Sequence, residues 1–138
     1  MTLAKKQQQM IDDLLLIEDA QERLAAAVDR AKSRPPLTAS ERTEDNRVKG
    51  CISAAWVASE WRDGRCHFRS DADSPLVRGL VQLLTDLYSD ATPAEIVATE
   101  PVLLEKAGLA RSLSPTRLNG LRSVRARIRD FAAAHATA

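Results

Sequence analysis

The amino-acid sequence predicts an α+β domain in which a small antiparallel sheet of about three strands packs against helices. Three observations carry that expectation. Apolar residues recur at spacings near three and four from Met10 to Lys32, a stretch without Gly or Pro. Two short alternating runs, Ile52 to Trp61 and Arg65 to Ser70, flank Arg62-Asp63-Gly64. In the C-terminal half, three segments open with Ser-Pro or Thr-Pro.

The first stretch reads as one helix carrying Leu14, Ile17, Leu24, Ala27, Val28 and Ala31, and Arg34-Pro35-Pro36 stops it. A polar connector runs from Pro35 to Asn46, where Thr38 and Glu41 have the spacing of a capping box. Asp-Gly between alternating runs is a hairpin signal, so the next two segments are read as paired strands. With Trp61 opposite Arg65, Cys66 would face Glu60. Alternation turns Cys66 and Phe68 toward the core and Arg65, His67 and Arg69 toward solvent. Ser74, Thr92 and Ser114 then cap three helices, with Glu95 three residues after Thr92. Leu76, Leu80, Leu83, Leu84 and Leu87 form one apolar face, and Leu118, Leu121, Val124, Ile128 and Phe131 another. A short helix from Pro101 to Ala107 should end at Gly108. The whole chain, 1–138, reads as a single domain, with about ten residues at the N-terminus and about six at the C-terminus expected to be disordered.

Composition narrows the function. With 138 residues, 44% of them apolar, the chain can bury a real core without metal or disulfide staples. Twenty Lys and Arg against 19 Asp and Glu give a net charge of +1, which argues against a general nucleic-acid binder. The sequence contains neither an uncharged apolar stretch of membrane-spanning length nor an apolar signal core at its start, so a cytoplasmic location with no membrane role is expected. Its two cysteines are then expected to be free thiols.

Cys51 is the most informative residue, because it follows Asn46-Arg47-Val48-Lys49-Gly50 at the mouth of the predicted hairpin. Arg47 and Lys49 would place positive charge near the sulfur and lower its pKa, while Gly50 permits a turn. A loop thiol of this kind could take sulfur from a persulfide donor by the displacement chemistry of disulfide exchange. The residues alone leave a second reading open, in which Cys51 is a small apolar residue starting a strand. Cys66 reads as core, about 30 Å along the strand from Cys51 at the usual rise, which excludes a bridge or a shared metal site. His67 reads as a solvated strand residue and His135 as uninformative. Arg122, Arg125 and Arg129 share a face of the last helix and read as its wet side, with partner docking second. Phosphate loops, nucleophile elbows and paired Cys and His motifs are not found, so the chain is not expected to catalyse alone.

Four motifs in order add to this reading. Ser33-Arg34-Pro35-Pro36-Leu37, Asn46-Arg47-Val48-Lys49-Gly50-Cys51-Ile52-Ser53-Ala54-Ala55-Trp56, Asp71-Ala72-Asp73 with Leu76-Val77-Arg78-Gly79-Leu80, and Leu113-Ser114-Pro115-Thr116-Arg117-Leu118-Asn119-Gly120-Leu121 resemble the SufE family, over about residues 18 to 131. Ala54 and Ala55 depart from the family's frequent Gln and Val. The resemblance implies a fold similar to the IscU-type scaffold proteins. It implies that Cys51 accepts persulfide sulfur from a SufS-like cysteine desulfurase, stimulating it, and passes the sulfur to a SufBCD-like cluster-assembly complex. The protein would hold no cofactor or metal of its own, pyridoxal phosphate belonging to the partner, and would be a monomer or weak homodimer. Arg47, Lys49, Gly50, Ser53, Asp71, Asp73 and Arg117 would lie in the loop or on the docking face. The alternatives are an IscU-like cluster scaffold and a protein-interaction module that transfers nothing; a nucleic-acid module using the arginine face ranks below them.

Overall fold

The computed structural model describes residues 1–51 and 53–136. At its centre, Asp63 and Gly64 both take positive φ, 55° and 76°, the two-residue turn whose twist matches paired strands. They join β1 (Ala55–Arg62) to β2 (Arg65–Ala72), a two-stranded antiparallel sheet. Among the described residues there are two strands rather than about three; two further segments add isolated bridges, Arg47–Trp56 and Cys66–Ala91, without extending into strands. The register also differs by one residue from the expected one. The turn consumes only Asp63 and Gly64, so Arg62 pairs with Arg65 and Cys66 faces Trp61. Ile52, expected to start the first strand, lies outside the described residues.

The inner face of the hairpin carries Ala55 and Val57 on β1 and Cys66, Phe68, Ser70 and Ala72 on β2, all buried. Helix α3 (Pro75–Tyr88) packs on it along β2, and α6 (Pro115–His135) crosses its far end, where Phe131 meets Phe68 edge-on and His135 stacks on Trp61 at 4.8 Å. His135 therefore has a structural role that its place in an Ala-rich tail did not suggest. Helix α4 (Pro93–Ala98) carries the capping box of Thr92 and Glu95, and α5 (Leu103–Lys106) is followed by Gly108 at φ 75° and a 3₁₀ turn (Ala110–Ser112). The three proline-led starts are capped by Ser74, Thr92 and Ser114 as the sequence predicts.

The N-terminal region departs from its expected form. The single helix expected over Met10–Lys32 is two, α1 (Leu3–Leu15) and α2 (Ala20–Lys32). Asp19 accepts from the Gln21 N–H as the cap of α2, and Arg23 donates to the carbonyls of Leu14, Ile17 and Glu18, closing the end of α1. The first ten residues, expected to be disordered, belong mostly to α1. Leu3, Gln7, Met10 and Ile11 form its buried face, and the Gln7 amide oxygen accepts from the backbone N–H groups of Val102 and Leu103. At the other end α6 reaches His135; Thr137 and Ala138 lie outside the described residues.

The connector packs on the outer face of the hairpin. Leu37 is buried, and the Thr38 and Glu41 spacing forms a turn, Glu41 accepting from the Thr38 N–H, without a following helix.

Candidate functional site

The loop bearing Cys51 is closed at its base by backbone pairing: Val48 N–H donates to Ala55 C=O at 2.8 Å, and Val57 N–H to Asn46 C=O at 2.9 Å. Arg127 on α6 donates to the carbonyls of Asp45 and Arg47, tying the same base to the helix. Within the loop Gly50 takes φ 91°, where a Cβ is disfavoured. Cys51 thus sits at the open end of the hairpin, as the sequence predicts, and leans on α6.

Cys51 is half-buried, and its Sγ–H donates to the Gly120 carbonyl at 3.5 Å. Beside it opens a cavity of about 240 Å³ with apolar walls from Val77, Leu80 and Leu121 and a polar rim from Ser53, Ser114, Thr116 and Arg117. Burial pushes the Cys51 thiol above its ordinary pKa. This corrects the expectation that Arg47 and Lys49 depress it. Those two residues line a separate polar depression with Glu44, Asp45, Arg127 and Asp130, and the Arg47 guanidinium lies 3.8 Å from Glu44. Burial thus favours the neutral thiol over the thiolate at this sulfur.

Of the other expected site residues, Ser53 and Arg117 reach the Cys51 cavity and Gly50 shapes its loop. Asp73 is exposed just beyond β2, and its N–H donates to Ala54 C=O across the base of the loop. Asp71 does not face outward. It is 2% exposed; its carboxylate accepts from the Leu37 and Ala72 N–H groups, pairs with Arg42 and lies 3.3 Å from the Arg78 guanidinium. Burial alone would raise its pKa, but these donors, Arg42 foremost, hold the carboxyl below the ordinary carboxylate range. Asp71 therefore fastens the connector to the hairpin, and Arg42 lies over the Trp56 ring beside it.

The arginine face also needs correction. Arg122 and Arg129 are exposed, but Arg125 is buried, lies 4.8 Å over the Tyr88 ring and donates to the carbonyls of Ile96 and Thr99. Cys66 is fully buried, as expected, and its thiol is pushed up by burial. Among the described residues no group of three or more His, Cys, Asp or Glu converges on a point that could hold a metal ion, and no helix is long and apolar enough to cross a membrane. Reading the sequence by residue chemistry overlooked Gly120, Val77, Leu80 and Leu121 as parts of the site. The available signal was a glycine inside a strongly predicted helix.

Fold and site together define a small α+β protein that presents a half-sheltered cysteine on a short loop beside a cavity. Comparison with known proteins narrows this class. Residues 8–132 match the family model SufE, described as an Fe-S metabolism associated domain. A SufE-like protein of Rhizobium etli is 35% identical over 135 residues, covering 94% of this chain and 91% of its own. One from Rhizobium meliloti is 31% identical over 129 residues, covering 90% and 92%. The chloroplastic/mitochondrial SufE-like protein 1 of Arabidopsis thaliana is 37% identical over 91 residues, 65% of this chain and 24% of that longer protein. The solution structure of a hypothetical protein from Thermus thermophilus superposes with a TM-score of 0.79 over 96% of this chain and 97% of its own, at 20% identity, and so shares the fold. The chain belongs to the SufE family and with it to Fe–S metabolism.

Proposed function

We propose that this protein is a sulfur carrier that receives a persulfide sulfur on Cys51 from a pyridoxal-phosphate-dependent cysteine desulfurase and delivers it to a cluster-assembly complex. The observation that carries this reading is the pairing of one loop thiol with a cavity beside it that is far larger than a sulfur atom. The donor is a cysteine persulfide of the partner. Cys51, as thiolate, attacks the terminal sulfur; a new S–S bond forms on Cys51, the donor's S–S bond breaks, and the donor cysteine leaves as a thiolate that takes up the proton Cys51 lost. No oxidant or reductant enters, and pyridoxal phosphate stays with the partner.

The neutral resting thiol suits a carrier that must not be oxidised between encounters. Docking then has two tasks, to lift the loop from α6 and to supply a setting in which the thiol ionises. Arg47, Lys49, Ser53, Asp73 and Arg117, around the loop and the cavity, are the groups placed to meet the partner, with Gly50 as the pivot. A cluster scaffold would need several converging ligands, and the described residues supply no such group.

The test is incubation with a cysteine desulfurase and L-cysteine, followed by mass spectrometry under non-reducing conditions. A gain of about 32 Da mapping to Cys51 is expected. No gain, or a gain that persists in Cys51→Ser, overturns the assignment.

A further inference from the structure

We propose that α6 contains a dedicated seat for the Cys51 loop, in which Gly120 is the positioning residue that lets the thiol lie sheltered against the helix. Its purpose rests on the sulfur-carrier reading; its geometry does not.

A glycine inside a helix is disfavoured relative to alanine, so its place in the second turn of α6 calls for a local reason. The reason is contact. A Cβ on Gly120 would lie 3.1 Å from the Cys51 sulfur, 3.5 Å from its Cα and 3.7 Å from its Cβ. The same fit recurs three residues later with the partners exchanged. A Cβ on Gly50 would lie 2.7 Å from the Ser123 hydroxyl oxygen. Residues three apart on a helix are neighbours on one face. The loop therefore meets α6 at two successive points, Cys51 filling the space above Gly120 and Ser123 filling the space beside Gly50.

The seat also has a charge preference. The polar partner it offers the sulfur is the Gly120 carbonyl, which accepts from a thiol and has nothing to donate to a thiolate. The Ser123 hydroxyl, the other polar group where the loop meets the helix, donates to the Asn119 carbonyl, and among the described residues the one charged side chain lining the Cys51 cavity is Arg117, on its rim. The seat thus favours the thiol over the thiolate, and unseating Cys51 removes that bias. Gly120 acts through Cys51 and takes no part in the transfer itself.

The experiment uses the full chain and no desulfurase. Gly120→Ala places a Cβ 3.1 Å from the Cys51 sulfur, which must shift by a few tenths of an ångström to clear it, and Ser123→Leu crowds Gly50 with a larger side chain, while Ser123→Ala removes an oxygen without adding bulk. Alkylation of Cys51 by iodoacetamide is followed across pH by mass spectrometry, with circular dichroism reporting the fold. In Gly120→Ala and Ser123→Leu the alkylation midpoint should move down, and the rate at neutral pH should rise severalfold as the thiolate fraction grows. Ser123→Ala should keep the wild-type profile. If Gly120→Ala does not fold, Ser123→Leu, altered at a half-exposed position, decides alone. A folded variant with the wild-type rate and midpoint overturns the seat, as does a Ser123→Ala profile shifted as far as that of Ser123→Leu. Failure of the wild-type chain to gain sulfur from a desulfurase would refute the carrier reading instead and leave the alkylation result standing.

Discussion

Iodoacetamide applied to the folded protein should label Cys51 and spare Cys66, because one sulfur lies at a cavity mouth and the other has no exposed surface. The pH profile of that labelling follows from burial. Cys51 is pushed up from the ordinary 9.0, so its alkylation midpoint should lie above that value. A midpoint below it would restore Arg47 and Lys49 as activating cations. The linkage sign is that of a raised pKa: seating the protonated thiol stabilises the fold below the ordinary value, and that contribution is lost as pH rises through the higher one. Asp71 offers a second test. Asp71→Asn leaves Arg42, Arg78 and two backbone donors facing a neutral group, and should cost about 1–3 kcal/mol in chemical denaturation. The cysteine and its glycine were readable from the sequence, since thiol chemistry and loop reversal are local properties. Where the neighbouring cations point was not, because Arg127, eighty positions on, fixes the direction of the loop base. Neither the burial of Asp71 nor that of Arg125 leaves a trace in local pattern.

At the scale of elements, the clearest test lies where α2 and α3 cross. A Cβ on Gly79 would come within 2.9 Å of the Ala27 carbonyl carbon and of the Val28 nitrogen, both backbone atoms that cannot rotate away. Helix propensity favours alanine there by up to about 1 kcal/mol, but forced separation of packed helices typically costs about 1–3 kcal/mol. Gly79→Ala should therefore lower Tm in a thermal melt; an increase would mean that α2 recedes without loss. The helices led by Ser74, Thr92 and Ser114 and the turn at Asp63 were legible because caps and two-residue turns act over a few positions. The division of α1 from α2 was less so: Asp19 with Glu22 three residues on is a start signal, and unbroken apolar spacing concealed it. The hairpin register slipped by one because turn length, not side-chain pattern, sets it.

For the molecule as a whole, two carboxylates bind distant segments and both titrate low. Asp71 joins the connector to the hairpin. Glu95 accepts from the Leu3 N–H, and this bond, with the Thr92 contacts, holds its pKa below the ordinary value. In both cases the unfolded chain binds the proton more readily, so their stabilisation is present above the ordinary carboxylate range and is lost as pH falls below about 4. Urea midpoints should drop between pH 7 and pH 3, and the drop should be smaller in Asp71→Asn. The contacts of α1 have a further consequence for how the protein is made. Leu3 meets Glu95, Lys6 meets Ser89 and Gln7 meets Val102 and Leu103. During synthesis α1 therefore has its α2 and α3 contacts but lacks Glu95, Val102 and Leu103 until a segment more than ninety positions further on has been made. A chain cut short after α3 would leave α1 resting on α3 with its α5 side uncovered.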